Sequence, residues 1–574
     1  MNDNLFVIFH RLNMKNLRAY VVIALMGSVL FIPFLGASHL FDWDEINFAE
    51  ASREMIVTGN YTQTQIDFHQ FWEKPPFFFW LQSASMHIFG VNEFAARFPN
   101  AICGILTLMI LYAIGKRLRD ERLAGWWVIC YAGSMLPQFY FKSGIIDPWF
   151  NLFIFLGVYG WIRYVQDNKQ LKWIVFSGIF AGLSMLTKGP VGVGLIGISV
   201  GIWYLFTRFR KFPNLWHILV FLICVAAPMT PWVAIEISHN GTWFIKEFFT
   251  YQTRLATTED ASHGGFLLYH FVVILFLCFP ASAFAIGNII KKNNVEQQHA
   301  DFRKWMIILL SVVLVVFTIV QTKIAHYSSM AYFPLTFLAA QRLANIDKRW
   351  SSVEIVLIAV TGFVFSVSLF AIPFVLQRPE LLETYILDPF SKEALRADAH
   401  WQGWEPVMGM LMLGCCLFTV IWAMRSRGSA AITWLFLSSM VIINISINTI
   451  TPHIERYSQG AMIDFLDEKS REDVYTDVIG LKSYAQLFYG KRTPEDVNNP
   501  RFKAWAARTY PDVAEFDAIK WRSAYGKWLR EGDIDKPVWM VTNARKQQLF
   551  IGMPGFEPRG NKNGFYFFYR APQP

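Results

Sequence analysis

The stretch from Asp44 to Pro99 gathers more reactive side chains than any other part of this chain. Asp44, Glu45, Glu50, Arg53, Glu54, Asp67, His69, Glu73, Lys74 and Arg97 crowd one connection between two long apolar segments. Lipid penalises charge and offers no hydrogen bonds, so charges held at a membrane surface mark function more often than packing. Chemistry on a charged, lipid-linked molecule is the first expectation.

Those residues need a scaffold, and the rest of the composition describes it. The 574 residues are 54% hydrophobic and 17% charged, with a mean hydropathy of +0.31. Apolar runs repeatedly reach the ~20 residues that cross a bilayer. The expected fold class is a polytopic α-helical membrane protein of about 13 transmembrane helices. Their positions are near 18–40, 94–115, 123–141, 147–165, 171–187, 190–207, 214–237, 266–290, 305–322, 328–345, 352–377, 405–424 and 430–450. The first run has no clear small-residue cleavage site and reads as a retained span. The 53 Phe and 22 Trp suit lipid-facing and interfacial positions, although stacked aromatics also line sugar or lipid grooves. Cys103, Cys130, Cys224, Cys278, Cys415 and Cys416 all fall in apolar segments, without metal-ligand spacing or a disulfide framework. The net charge of +9 is spread over short loops with no dense basic tract, which argues against nucleic acid as a partner.

Alternate connections are basic: Arg11/Lys15/Arg18, Lys116/Arg117/Arg119/Arg122, Arg163/Lys169/Lys172, Arg208/Arg210/Lys211, Lys291/Lys292/Arg303/Lys304, Arg342/Lys348/Arg349 and Arg425/Arg427. The positive-inside rule assigns them to the cytoplasm. Every unusual polar cluster then falls outside: the 41–97 loop, Lys142 to Asp147, Thr187-Lys188-Gly189-Pro190, the 238–265 loop, and Lys323 to Tyr327. Each alone has an ordinary explanation, because interfacial lysines snorkel. Convergence of five loops on one face points to an extracytoplasmic site. Residues 1–451 are expected to form the membrane domain, with 41–97 as its catalytic outer loop. Residues 452–574 are polar, with strand-like runs at Asp473–Ile479, Val538–Thr542 and Gly564–Tyr569 and helical patterns near Ser483–Tyr489 and Asp512–Arg530. They are expected to form a small α/β extracytoplasmic domain, either a binding module or a passive cap.

Five ordered motifs carry a resemblance. Asp44-Glu45-Ile46-Asn47-Phe48-Ala49-Glu50 with Arg53-Glu54-Met55, Glu73-Lys74-Pro75-Pro76, Glu93-Phe94-Ala95-Ala96-Arg97-Phe98-Pro99, Leu186-Thr187-Lys188-Gly189-Pro190, and Lys323 to Tyr327 with Pro334 follow one another at sensible spacing. Together they resemble the C-type membrane glycosyltransferases (GT-C) of the protein mannosyltransferase and lipid A aminoarabinose transferase superfamily. Val474-Tyr475 and Phe488 to Arg492 are similar to the small outer domain of the aminoarabinose transferases. Asn47 departs from the pattern, standing where those enzymes often carry Arg.

The resemblance implies an enzyme that moves a sugar from a polyprenyl-phosphate donor to a glycolipid or protein acceptor at the periplasmic face of a bacterial inner membrane. Cleaving the sugar C1–oxygen bond leaves a phosphate that gains charge, and cations must meet it. Lys74, Lys188 and Lys323 are the candidate phosphate partners, with Arg254, Tyr327 and Arg97 as further possibilities. Asp44 is the expected acid–base residue. Glu45 is the rival, which a helix would point roughly 100° away, and Asp147 is the second acid, with a helix N-cap as its alternative reading. Glu73 and His263 are candidate ligands for a divalent metal, Zn or Mg/Mn, with His69, His270 and His326 as spares. Two protein ligands are few for zinc. Two other classes remain in view: a lipid or glycan flippase, which calls for polar groups inside the spans and internal repeats, and a scaffold whose loops make protein contacts.

Overall fold

In lipid the backbone polar groups of an apolar run are satisfied only within the run, so the long segments are helices. The computed structural model of the chain describes residues 14–257, 265–290, 297–345, 350–425, 428–510 and 518–572. Each of the thirteen expected spans overlaps a helix or a broken pair of helices, although the first, expected to reach residue 40, ends at Phe31. Among the described residues, seven helices are long and apolar enough to cross a membrane, or eight when a bent pair counts as one span. That pair, Tyr269–Leu277 and Ala281–Ile290, turns by 114° beside Pro280, whose nitrogen cannot donate. The segment expected at 123–141 is divided into Glu121–Ala132 and Met135–Phe141, and a 3-10 turn at Ala325–Ala331 precedes the helix Tyr332–Ala344. Hydropathy registers the apolar length and misses these breaks.

The helix Asp147–Gln166 runs through the middle of the bundle and is buried on nearly every side. Small residues let its neighbours close on it. A Cβ at Gly160, for instance, would lie 2.7 Å from Cβ of Ser177 on helix Leu171–Lys188.

Two short helices, Asp44–Thr58 and Phe77–Phe89, lie in the first long connection, where juxtamembrane helices are expected at 45–57 and 76–90. Asp44-Glu45 favours the positive end of the first helix, and Gly59 (φ 69°) ends it in the left-handed region. The two helices pack through Phe48 against Phe78 and Phe79, with ring centroids 6.2 and 5.7 Å apart. Ser52 Oγ also donates to Gln82 Oε1 at 3.0 Å. Between the helices, β1 (Gln65–Ile66) and β2 (His69–Gln70) form an antiparallel hairpin.

The last long helix does not stop where the hydropathy falls. Gly428–Glu455 continues through a π turn at Arg456–Gly460 into Ala461–Lys469. The domain boundary expected at 451/452 therefore lies inside a helix, and the sheet of the α/β unit begins only at β3. The strands are β3 (Tyr475–Ile479), β4 (Val538–Asn543), β5 (Phe556–Lys562) and β6 (Phe565–Arg570), in the order β3-β4-β6-β5. β3 and β4 are parallel, and the other pairs are antiparallel. One face packs on Trp528, Tyr525 and Phe502. β5 escapes sequence reading because Pro558 and Gly560 break its pattern; it lies at the sheet edge with an irregularity between those two residues.

Candidate active site

Four of the five expected outer loops bring side chains together at one end of the helices. Asp44 opens its helix, and its carboxylate is 32% exposed, with Oδ2 3.7 Å from Nε2 of His326 on the 3-10 turn. Asp147 starts the central helix just ahead of Pro148, a residue suited to a first helical turn. Its Oδ1 accepts a hydrogen bond from Lys188 Nζ at 2.6 Å. Its buried Oδ2 has no hydrogen-bond partner among the described residues. Lys188 is the last residue of its helix because Gly189 (φ 92°) and Pro190 end it there. The ammonium thus stands at the negative helix end and lies over the rings of Tyr327 at 5.2 Å and Phe150 at 5.6 Å.

Lys74 completes the group. Burial pulls its pKa below the ordinary lysine range, Lys188 adds to that, and Glu73, Asp44 and Asp147 work against it. His326 feels the same neighbours. Burial pushes its pKa below the ordinary histidine value, with Asp147 and Asp44 raising it and Lys188 and Lys74 lowering it. At neutral pH it is an uncharged imidazole beside Asp44. The cluster therefore offers a partly exposed carboxylate as a proton acceptor and two ammonium groups, one clamped by a carboxylate, as partners for an anion.

A family model for dolichyl-phosphate-mannose-protein mannosyltransferases matches residues 73–233, a stretch that holds Glu73, Lys74, Asp147 and Lys188. The undecaprenyl phosphate-alpha-4-amino-4-deoxy-L-arabinose arabinosyl transferase of Wigglesworthia glossinidia brevipalpis is 26% identical over 57% of this chain and 58% of its own length. Its counterpart 1 in Proteus mirabilis is 25% identical over 56% of this chain and 58% of its own. The chain thus spans under two thirds of the length of these relatives. In fold, ArnT from Cupriavidus metallidurans bound to undecaprenyl phosphate matches with a TM-score of 0.70 at 17% identity, covering 97% of this chain and 99% of that one. The chain therefore shares the fold of ArnT over nearly its whole length, and residues 73–233 match the mannosyltransferase family model.

Of the other expected site residues, Glu45, Arg97 and Lys323 lie apart from the cluster. Glu45 points away from Asp44 and is locked to Arg97, with Nε–Oε1 at 3.0 Å and Nη2–Oε2 at 2.8 Å. Arg97 also donates to the carbonyls of Leu35, Ser38 and His39. Both are used up in fastening the loop to the end of the first helix. Lys323 turns back on the helix before it and donates to the carbonyls of Phe317, Thr318 and Val320, which cap that helix end. Arg254 is exposed on helix Trp243–Thr257, and His263 lies outside the described residues. His69 Nδ1 is 2.7 Å from the Asp67 carbonyl, and its ring lies against Trp521. His270 is buried, with neither ring nitrogen hydrogen-bonded among the described residues. Glu73 lies within electrostatic reach of Lys74 and Tyr484. Among the described residues no three His, Cys, Asp or Glu side chains form a metal-holding group.

Sequence reasoning missed the wall that the C-terminal domain builds beside Asp44. Tyr484 packs on Trp43 with ring centroids 4.7 Å apart, and the Lys482 ammonium lies 4.5 Å from the Trp43 ring. Arg522 holds Tyr484 through Nη1 to its hydroxyl at 2.9 Å and donates through Nε to Asp67 Oδ2 at 3.2 Å. Arg492 Nη1 donates to Asp67 Oδ1 at 3.0 Å. Burial alone would raise the Asp67 pKa, but Arg492 and Arg522 hold it below the ordinary value. Asp42, next to Trp43, is pushed up to about 6 by burial, against hydrogen bonds from Ser483 and Tyr484. The one sequence signal was indirect: Arg492 ends the Phe488–Arg492 run that resembles the outer domain of the aminoarabinose transferases.

Proposed function

We propose that this protein transfers a sugar from a polyprenyl-phosphate donor to a glycolipid of the lipid A kind at the periplasmic face of a bacterial inner membrane. The observation that carries this reading is the meeting of Asp44, Lys74, Asp147, Lys188 and His326 at one end of the helices. A donor whose prenyl chain stays in lipid presents its phosphate at that level. Lys74 and Lys188 meet the phosphate oxygens. As the C1–oxygen bond breaks, its electron pair goes to the departing phosphate, and preorganised cations in a water-poor site contribute several kcal/mol to stabilising it. The acceptor oxygen forms the new bond to C1. If it is a hydroxyl, Asp44 takes its proton; if it is already a phosphate oxygen, no base is needed and Asp44 orients the acceptor. Asp147 holds Lys188 with one oxygen and leaves the other for a sugar hydroxyl.

The test is a transfer assay in proteoliposomes with radiolabelled polyprenyl-phosphate sugars, offering lipid A and a hydroxyl-bearing peptide as competing acceptors. Label should move to the lipid with the wild type and not with Asp44→Asn. Label on the peptide alone would overturn the acceptor assignment. No transfer from any donor by folded protein would overturn the enzyme reading.

A further inference from the structure

On the other side of the Asp44 helix from the catalytic cluster lies a second built space, which the transfer reaction does not use. It is a cavity of about 50 Å³ between the end of the first helix, the Met135–Phe141 helix and the last long helix. Asp44, Lys74, Asp147, Lys188 and His326 take no part in its lining.

Two cations and one carboxylate line it: Lys142, Arg97 and Glu45. The Arg97 guanidinium and the Glu45 carboxylate are committed to each other and to backbone groups, which leaves Lys142 as the charge that decides what enters. Its Nζ donates to the carbonyl of Pro33 at 2.7 Å, and an ammonium has three donors. Burial, reinforced by Arg97, pulls its pKa down to about 8. An anion in the cavity would reverse that. Phe139 and Ile447 add apolar lining beside the polar Asn448 and Thr451, and Phe34, also in the lining, is 67% exposed just after a helix that carries Val22, Leu25 and Val29 to the surface. A lining that continues into lipid-facing surface, with one buried cation inside, fits an amphiphile better than a free ion.

We propose that this cavity binds the phosphate head group of an anionic membrane lipid, with Lys142 as its counter-ion and Phe34, Phe139 and Ile447 against the first acyl carbons. The site is independent of the sugar transferred and of the acceptor.

The full chain in phosphatidylcholine vesicles, with a trace of phosphatidylglycerol carrying a photoactivatable group near the first acyl carbons, tests this. The label should map to the peptides holding Phe34, Phe139 and Ile447. Unlabelled phosphatidylglycerol should displace it, and phosphatidylcholine or inorganic phosphate should not. Lys142→Met should cut labelling there roughly tenfold, the scale of one hydrogen bond to a charged group, and Lys142→Arg should keep it. Displacement by phosphatidylcholine, or label spread evenly over the lipid-facing helices, would overturn the head-group site. Displacement by inorganic phosphate would overturn the lipid. If Lys142→Met does not fold, the competition on the wild type decides.

Discussion

Asp44 and Glu45 are neighbours with the same functional group, and exchanging each for its amide separates chemistry from architecture. Glu45 Oε1 accepts from Arg97 Nε at 3.0 Å and from the Gly144 amide, and Oε2 accepts from Arg97 Nη2 at 2.8 Å and the Phe41 amide at 2.9 Å. Both side chains of the pair are nearly shielded from water, 5% and 7% exposed. In Glu45→Gln one carboxylate oxygen becomes an NH2 that faces donors, and the buried guanidinium loses its counter-charge. Breaking a buried pair from one side costs about 3–5 kcal/mol. Asp44 is one-third exposed and 3.7 Å from the His326 imidazole, so Asp44→Asn changes stability by less than about 1 kcal/mol. Its cost falls on the rate, about 10²–10⁴ for a lost general base. Unfolding in detergent, followed by size-exclusion retention after heating, and transfer at a temperature where both variants are folded are the two readouts. The Glu45 contribution also has a pH signature. Burial raises its pKa, but Arg97 and the amides bring it net below the ordinary value. The stabilisation is therefore complete above the ordinary carboxyl pKa and is lost as pH falls through the lowered one, so wild type and Glu45→Gln converge in acid. If Glu45→Gln unfolds like wild type and loses transfer as Asp44→Asn does, the assignment of the two roles is wrong.

Arg492→Leu leaves the buried Asp67 carboxylate without its shortest ion-pair contact and should destabilise the junction of loop and C-terminal domain by about 3 kcal/mol, seen as faster proteolysis between residues 470 and 510. The depressed Lys74 pKa has a direction too: phosphate binding draws a proton back onto the amine, so affinity for polyprenyl phosphate holds below the lowered pKa and falls as pH rises through it. Lys74→Arg, which stays protonated, should flatten that fall in a binding titration; an unchanged profile would remove Lys74 from the phosphate. Asp147→Asn and Lys188→Met should be non-additive in kcat/KM by about 1–3 kcal/mol because they share one 2.6 Å contact, and additive losses would mean separate roles.

What could be read from the chain follows a physical divide. Apolar length and residue type are local, so all thirteen helical segments overlap their expected positions, and the two helices of the first long connection and the strands β3, β4 and β6 stand where hydropathy and alternation put them. Side-chain direction is not local. Lys188 is the last residue of an apolar helix and Lys323 comes shortly after the end of another. Lys323 folds back onto three carbonyls, while Lys188, stopped by Gly189-Pro190, reaches across to Asp147. Nothing in the residue types separates the two. His326, weighed only as a spare metal ligand, turns out to face Asp44, because the 3-10 turn that carries it is set by packing against the central helix: Asn151 Nδ2 donates to Ser329 Oγ at 2.7 Å.

The contacts hardest to foresee join the two ends of the chain. Asp67 meets Arg492 and Arg522, 425 and 455 residues away, and the same Arg522 holds Tyr484 against Trp43, one residue before Asp44. This chain of contacts gives the C-terminal domain a mechanical part in the candidate site: it fixes the segment from which Asp44 projects. The position of the carboxylate is then set from both sides, by the Glu45–Arg97 pair on the helix bundle and by Tyr484 on the C-terminal domain. Loosening either should lower the rate without touching a reacting atom, since catalysis by a positioned base is lost with displacements of about 1 Å.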